Sequence, residues 1–150
     1  MVIYVDADAT PKQVLRVTRE LAAKYDIPVI TVSSINHEIG GAHHIQVDAA
    51  SQATDMEIVR RIESDVPTIV ITQDYGLAAL VLARKAFAIS PSGLLYTNEN
   101  INQLLDERAA SAKLRRGGKF RMRGPRPRTH EDDEKFAQGL HHLIESLLHP

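Results

Sequence analysis

Short runs of apolar residues rich in Val and Ile alternate along the chain with longer segments whose apolar residues recur at helical spacing. The short runs are typical of strands buried in a parallel sheet, and the longer segments are typical of amphipathic helices. This alternation predicts an α/β fold with three layers, a mainly parallel sheet between helices, followed by a C-terminal helix. The runs predict strands at 2–5, 27–32, 44–47, 66–71 and 87–89.

The helical segments carry recognisable start signals. Thr10 precedes Pro11, which predicts that the threonine hydroxyl caps the first helix and that proline takes its first position. Asn98 is the predicted cap of a long fourth helix, and Thr129 begins a capping-box sequence with Asp132 three residues later. The predicted helices cover residues 11–25, 54 to about 63, 76–85, 98 to about 114, and about 130–148.

The last predicted helix carries a single apolar stripe, formed by Phe136, Leu140, Leu143 and Leu147. Such a stripe has to be covered in the folded protein. We therefore expect it to pack either on the body of the domain or on a second copy of the chain, so a homodimer is one expectation.

The composition narrows the class of protein. A chain of 150 residues, 43% of them hydrophobic and 25% charged, is expected to fold as one globular domain over residues 1–150. The absence of cysteine excludes disulfides, thiolate zinc sites and cysteine nucleophiles. No secretory signal is recognised, and no apolar run approaches the roughly 20 residues that span a bilayer, so we expect a cytoplasmic protein without a membrane partner.

The net charge of −1 conceals an uneven distribution. Residues 1–112 carry 9 Lys and Arg against 14 Asp and Glu, whereas residues 113–128 carry 8 basic residues and no acid. This basic arm fits either contacts with a phosphate backbone or a solvated surface loop. Phe120 within the arm could stack on a base or anchor the arm to the body. The basic residues are Lys113, Arg115, Arg116, Lys119, Arg121, Arg123, Arg126 and Arg128.

Four aspartates stand where ligands bind in open α/β sheets, near the carboxyl ends of strands and the starts of helices. Asp6 and Asp8 follow the first strand, Asp74 follows the fourth, and Asp55 opens the helix between the third and fourth. Right-handed crossovers predict that these ends lie together. Helix capping alone would also explain Asp55 and Asp74. If the four converge, their mutual repulsion favours a hard divalent cation such as Mg²⁺.

The stretches 5–11 (VDADATP), 53–59 (ATDMEIV) and 71–78 (ITQDYGLA) resemble the uncharacterised bacterial YaiI/YqxD family. Residues 90–97 and the region from Gly124-Pro125 to Asp133 and Phe136 resemble it as well, so the resemblance extends over essentially the whole chain. The chain departs from the family at Thr10, where the family typically has cysteine.

The family is similar, more distantly, to PIN-like and NYN nuclease domains, which hold Mg²⁺ or Mn²⁺ with acids at strand ends and cleave phosphodiester bonds. The resemblance implies a PIN-like fold and a metal-dependent nuclease acting on RNA. By position it implies catalytic roles for Asp6, Asp55 and Asp74, with Asp8 as an additional metal ligand.

Two other functions fit the sequence. Asp6-x-Asp8-x-Thr10 matches the nucleophile motif of haloacid-dehalogenase phosphatases, in which the first Asp is phosphorylated and the second is the acid/base. The chain lacks a second acid next to Asp74 of the kind that superfamily uses for its metal. Alternatively, the protein is a nucleic-acid-binding or ribosome-associated module whose acids are helix caps and whose basic arm makes the contacts.

Overall fold

The computed structural model describes residues 1–34, 43–49, 52–117 and 127–150. Five strands and five helices follow one another along these residues. The strands are β1 (Val2–Asp6), β2 (Val29–Ser34), β3 (His44–Val47), β4 (Thr68–Ile71) and β5 (Phe87–Ile89). The helices are α1 (Lys12–Lys24), α2 (Ala53–Arg61), α3 (Tyr75–Ala83), α4 (Asn98–Arg116) and α5 (His130–Leu148).

The strands form one parallel sheet in the order β3-β2-β1-β4-β5. The chain thus proceeds from β1 outward to β3, then returns to the other side of β1 to place β4 and β5. This reversal creates a topological switch point between β1 and β4, where open α/β sheets have their binding crevice. The predicted α/β fold with a parallel sheet is confirmed, and it is Rossmann-like.

Each face of the sheet has its own apolar core, which completes the three layers. One core packs β1 and β4 against α1 and α5, with Val14, Phe136 and Leu140 fully buried. The other packs the opposite face of the sheet against α2, α3 and α4. In the central strands consecutive residues are buried, as the continuous apolar runs predicted, because both faces are covered.

The stripe of α5 lies on the body of the domain. Phe136, Leu140 and Leu143 are buried, Leu147 is partly buried, and the helix packs along α1. The predicted capping box at its start is confirmed: the Asp132 amide donates to the Thr129 hydroxyl, and the Thr129 amide donates to the Asp132 carboxylate. The stripe therefore needs no second copy of the chain to cover it.

Two predicted caps are wrong. A 3₁₀ turn, Ala7–Ala9, separates β1 from α1, and the Thr10 hydroxyl donates to the Asp6 carbonyl at 2.7 Å instead of capping α1. Pro11 takes the N-cap position that was expected for Thr10. At α4 the cap is Thr97, which forms a capping box with Asn100, and Asn98 is the first helical residue.

Strand ends differ from the predictions by two residues where proline intervenes. β4 begins at Thr68, after Pro67, whose carbonyl accepts the Val2 amide. β2 begins after Pro28 and continues through Ser34, because its last residues pair with β3. Within the described part of the chain, no helix is both long enough and apolar enough to cross a membrane.

Candidate functional site

A cleft of about 420 Å³ opens at the carboxyl ends of β1 and β4, and all four predicted aspartates line it. Asp6 is the last residue of β1, and Asp8 lies in the 3₁₀ turn that follows. Asp74 is the N-cap of α3, and Asp55 is in the first turn of α2. The predicted convergence of the four acids at the switch point is therefore present in the structure.

Asp6 is the most deeply placed of the four, with only 3% of its surface exposed. The Thr72 hydroxyl donates to its carboxylate at 2.7 Å. Burial raises the pKa of Asp6 to about 6; the Thr72 hydrogen bond opposes this rise, and the charges of Asp8 and Asp74 add to it. The site thus holds a carboxylate whose negative charge is costly in the absence of a nearby positive group.

Asp55, in the first turn of α2, lies near the carboxylates of the other three aspartates. Burial, followed by the nearby carboxylates of Asp74 and Asp6, raises its pKa to about 7. A hydrogen bond with Asp74 contributes in the same direction, as does the charge of Asp8. Of the two positions that the sequence allowed for Asp55, N-cap or first turn, the structure shows the first turn of α2, and the N-cap is Gln52.

Asp74 combines both of the roles considered from the sequence. Its carboxylate accepts the Gly76 amide at 2.8 Å and the Leu77 amide at 3.3 Å, so it is the cap of α3. The same carboxylate lines the cleft beside Asp55 and lies 3.6 Å from the Arg108 guanidinium. Capping fixes this side chain at the cleft and is therefore compatible with a place in a binding site.

Asp8 is held by the neighbouring strand and helix. The Ser34 amide donates to its two carboxylate oxygens at 3.0 and 3.1 Å, and the Thr54 hydroxyl donates at 2.9 Å. These bonds tie the 3₁₀ turn to the end of β2 and to the start of α2. In the phosphatase interpretation Asp8 would be the acid/base, and here both of its oxygens already accept hydrogen bonds.

The donor chemistry of the cleft suits a hard divalent cation, because its ionisable lining is rich in carboxylate oxygens whose charges repel one another. The spacing is less favourable. Among the described residues, no three His, Asp or Glu side chains form a ready-made metal-binding group. The cleft thus offers ligands of the right kind and a strong electrostatic reason to bind a cation, but not a closed ligand set.

Sequence reasoning missed the polar side chains that hold the acids in place. Thr72 donates to Asp6 and accepts the Asp74 amide at 2.9 Å, so one hydroxyl links two of the acids. Ser34 and Thr54 orient Asp8. The signal for Thr72 was its place two residues before Asp74. Ser34 carries no such signal, because its role depends on β2 lying beside β1.

The basic arm is divided in the structure. Lys113, Arg115 and Arg116 are exposed in the last turn of α4, which ends at the Gly117 cap. Arg128 instead forms an ion pair with Asp133 of α5, 2.6 Å between Nε and Oδ1. The remaining predicted phosphate contacts, Lys119, Arg121, Arg123 and Arg126, lie outside the described residues, as do Phe120, Gly124 and Pro125.

The model of the family described as "Uncharacterized BCR, YaiI/YqxD family" matches residues 4–146. The chain belongs to this family. The match spans both cores, all four aspartates of the cleft and the basic arm, and it confirms the family resemblance seen in the sequence. The likeness to PIN-like and NYN nuclease domains stays a prediction, because neither this description nor the relatives below name a nuclease.

Three relatives, each called UPF0178 protein, are similar to this chain over nearly its whole length. The protein of Heliobacterium modesticaldum is 42% identical over 144 residues, which is 96% of this chain and 97% of the relative. That of Clostridium novyi is 43% identical over 146 residues, 96% and 95% of the two chains. That of Bacillus anthracis is 43% identical over 141 residues, 91% and 93%. No solved structure matches the chain.

Proposed function

We propose that this protein is a metal-dependent nuclease that hydrolyses phosphodiester bonds in RNA at the acidic cleft. The observation that carries the proposal is the convergence of Asp6, Asp8, Asp55 and Asp74 in one cleft at the switch point of the sheet. Acids that served only as helix caps would have no reason to lie so close together that, besides burial, the charges of Asp74 and Asp6 raise the pKa of Asp55.

Asp6, Asp55 and Asp74 would hold Mg²⁺ or Mn²⁺, with Asp8 as a further ligand. When bound, such an ion lowers the pKa of a water molecule and neutralises charge on a scissile phosphate. Thr72 orients Asp6 through its hydroxyl, and Asp74 is held in place by the amides of α3. The protein's own part is therefore to present fixed carboxylates at one edge of the sheet.

Arg108 and the end of α4 supply positive charge next to the acids. Arg108 is the one basic side chain among the described residues that line the cleft, and 59% of its side chain is exposed. We assign it to contacts with a phosphate next to the scissile one. Lys113, Arg115 and Arg116 continue along the same helix and would bind phosphates further along the strand.

The test is cleavage of single-stranded RNA in Mn²⁺ or Mg²⁺ by the wild type and by Asp6→Asn, with Asp65→Asn as the matched control. Asp65 is exposed and does not line the cleft. The proposal predicts that Asp6→Asn loses activity by about 100-fold or more, the scale of removing one preorganised electrostatic contact, and that Asp65→Asn cleaves as the wild type does.

Three outcomes would contradict the proposal. Unchanged cleavage and unchanged Mn²⁺ binding in Asp6→Asn would reject the site. RNA binding without cleavage, indifferent to EDTA and to Asp6→Asn, would favour the binding module. Turnover of an aryl phosphate with a trapped phosphoryl group on Asp6 would favour the phosphatase.

A further inference from the structure

A second cavity, of about 280 Å³, lies on the other side of the turn between β4 and α3. Its walls combine two prolines and two tyrosines with polar side chains, and it contains neither Asp6 nor any other aspartate of the cleft. Gln73 joins the two sites: it lines this cavity, and its amide donates at 2.9 Å to the carbonyl of Ala9, which lines the cleft. The second cavity therefore adjoins the acidic cleft.

Arg128, which lines the cavity, carries an unsatisfied hydrogen-bond donor. Arg128 pairs with Asp133 through Nε, but its Nη2 atom is buried and has no hydrogen-bond partner among the described residues. A buried donor without a partner is uncommon in folded proteins and costs free energy. A ligand with an acceptor oxygen or nitrogen in the cavity would satisfy it once the guanidinium turned toward the cavity.

The charges around Arg128 argue against a simple anion as that ligand. Asp132 lines the cavity, and Asp133 is paired with the same guanidinium, so two carboxylates offset its single positive charge. The carboxylate of Asp132 accepts the Thr129 amide at 2.9 Å. The cavity is thus suited to a neutral group with hydrogen-bond acceptors rather than to a phosphate.

Two tyrosines, Tyr75 and Tyr96, form part of the cavity wall. The Tyr75 ring meets the Tyr96 ring edge to face, with 6.0 Å between centroids, and the Tyr96 hydroxyl donates to the Thr72 carbonyl. Tyr75 is thereby held half-buried at the cavity. A half-buried tyrosine ring beside a guanidinium and an amide is a combination that suits the flat face and the polar edge of a nucleobase.

We propose that this cavity binds one unpaired nucleobase of the RNA strand whose phosphodiester lies at the acidic cleft. The proposal rests on the proposed function for its substrate class and adds a base-binding subsite to it. Tyr75 stacks on the base, the Arg128 guanidinium turns to donate to an acceptor on its edge, and Gln73 connects the subsite with the cleft. Protein contacts with splayed-out bases are the usual way in which single-stranded RNA is recognised.

The test measures binding in EDTA, so that it does not depend on cleavage. A labelled single-stranded RNA is compared by fluorescence anisotropy with strands of the same length that carry one abasic position each. The proposal predicts that one abasic position weakens binding to the wild type by roughly tenfold, the scale of one stacked base, although the number of phosphates is unchanged.

Two variants locate the effect, and one serves as the control. Tyr75→Leu removes the ring, and Arg128→Lys keeps the charge but loses the planar guanidinium. Tyr75→Leu is expected to abolish the abasic penalty, and Arg128→Lys is expected to reduce it. Tyr25→Leu changes a tyrosine on the α1 side of the sheet, away from the cavity, and is expected to retain it.

The proposal is overturned if every abasic strand binds the wild type as tightly as its parent, or if the penalty persists in both folded variants. It is also overturned if the protein binds no RNA at all. Failure of the nuclease proposal is recorded separately, by the cleavage assay with Asp6→Asn, and a base-dependent binder without cleavage would leave this subsite standing.

Discussion

Two carboxylates of the cleft, those of Asp6 and Asp55, are costly to ionise. Asp6 is buried almost completely and Asp55 partly, and each has a pKa raised by burial and by its acidic neighbours. A fold gains nothing in stability from such an arrangement. Carboxylates that are kept close despite their repulsion are characteristic of functional sites, where a cation or a proton relieves the repulsion.

The raised pKa values predict how stability changes with pH in the metal-free protein. The folded protein binds more protons than the unfolded chain between about pH 4 and pH 7, because the pKa values of Asp6 and Asp55 rise from 3.8 to about 6 and about 7. The free energy of unfolding should therefore fall as pH rises through this window. Asp55→Asn should flatten the fall and stabilise the protein at pH 8 by about 1–2 kcal/mol, after allowance for solvent screening.

Urea unfolding at several pH values in EDTA checks this prediction, with Asp65→Asn as an exposed control. Parallel pH curves for the wild type and Asp55→Asn would show that the pKa of Asp55 is not raised in the folded protein.

Thr72 provides a second prediction at this scale. Its hydroxyl holds down the pKa of Asp6, so Thr72→Val should raise that pKa above about 6, whereas Thr72→Ser should leave it close to the wild-type value. Carboxyl-carbon NMR titration of Asp6 measures both. An unchanged pKa in Thr72→Val would mean that the hydrogen bond is not made in solution.

At the scale of elements, the strands and helices that could be predicted are those whose apolar residues follow a regular local pattern in the sequence. The apolar runs of β1 and β5 and the stripe of α5 are predicted, because burial on one or both faces leaves a readable period. The start of α1 is not, because the Thr10 hydroxyl can either accept an amide of the first helical turn or donate to a preceding carbonyl. In the structure the Asp6 carbonyl takes its hydroxyl, and a 3₁₀ turn forms ahead of α1.

The loop after β5 gives a prediction for this scale. Gly93 has a φ of +89°, and a Cβ there would lie 2.5 Å from the Lys135 carbonyl oxygen of α5. Gly93→Ala should therefore destabilise the protein by about 2–4 kcal/mol, because strained backbone and overpacking combine. Gly117→Ala is the matched control, since a Cβ at Gly117 meets only ordinary contacts and its φ is −70°.

Thermal unfolding of the two variants provides the measurement. Gly117→Ala should unfold within a few degrees of the wild type. A similarly small change for Gly93→Ala would show that the loop does not pack on α5 as described.

For the whole molecule, the acids of the cleft could be predicted because topology alone brings strand ends together. Asp6 and Asp74 are far apart in sequence, but β1 and β4 are neighbours in the sheet. The second cavity could not be predicted. It depends on the Arg128–Asp133 pair and on the close approach of the Gly93 loop to α5, and neither leaves a periodic signal in the sequence.

The charge distribution predicts RNA binding that weakens with salt. Replacing Lys113, Arg115 and Arg116 by Gln should make the slope of log affinity against log salt shallower by about 2, since each phosphate contact on a single strand contributes about 0.7. Replacing Arg16, Arg19 and Lys24, three exposed basic residues on α1, removes the same charge elsewhere and should change the slope little. Equal changes in both triple variants would mean that only net charge matters.

The central claim is that Asp6, Asp8, Asp55 and Asp74 share one cation. A crystal of the wild-type protein soaked in Mn²⁺ and measured for anomalous scattering tests it most directly. We expect an anomalous peak inside the cleft, within ligand distance of at least two of these carboxylates, and its loss in Asp6→Asn crystals. A wild-type crystal that is saturated with Mn²⁺ but shows no peak between these side chains would contradict it.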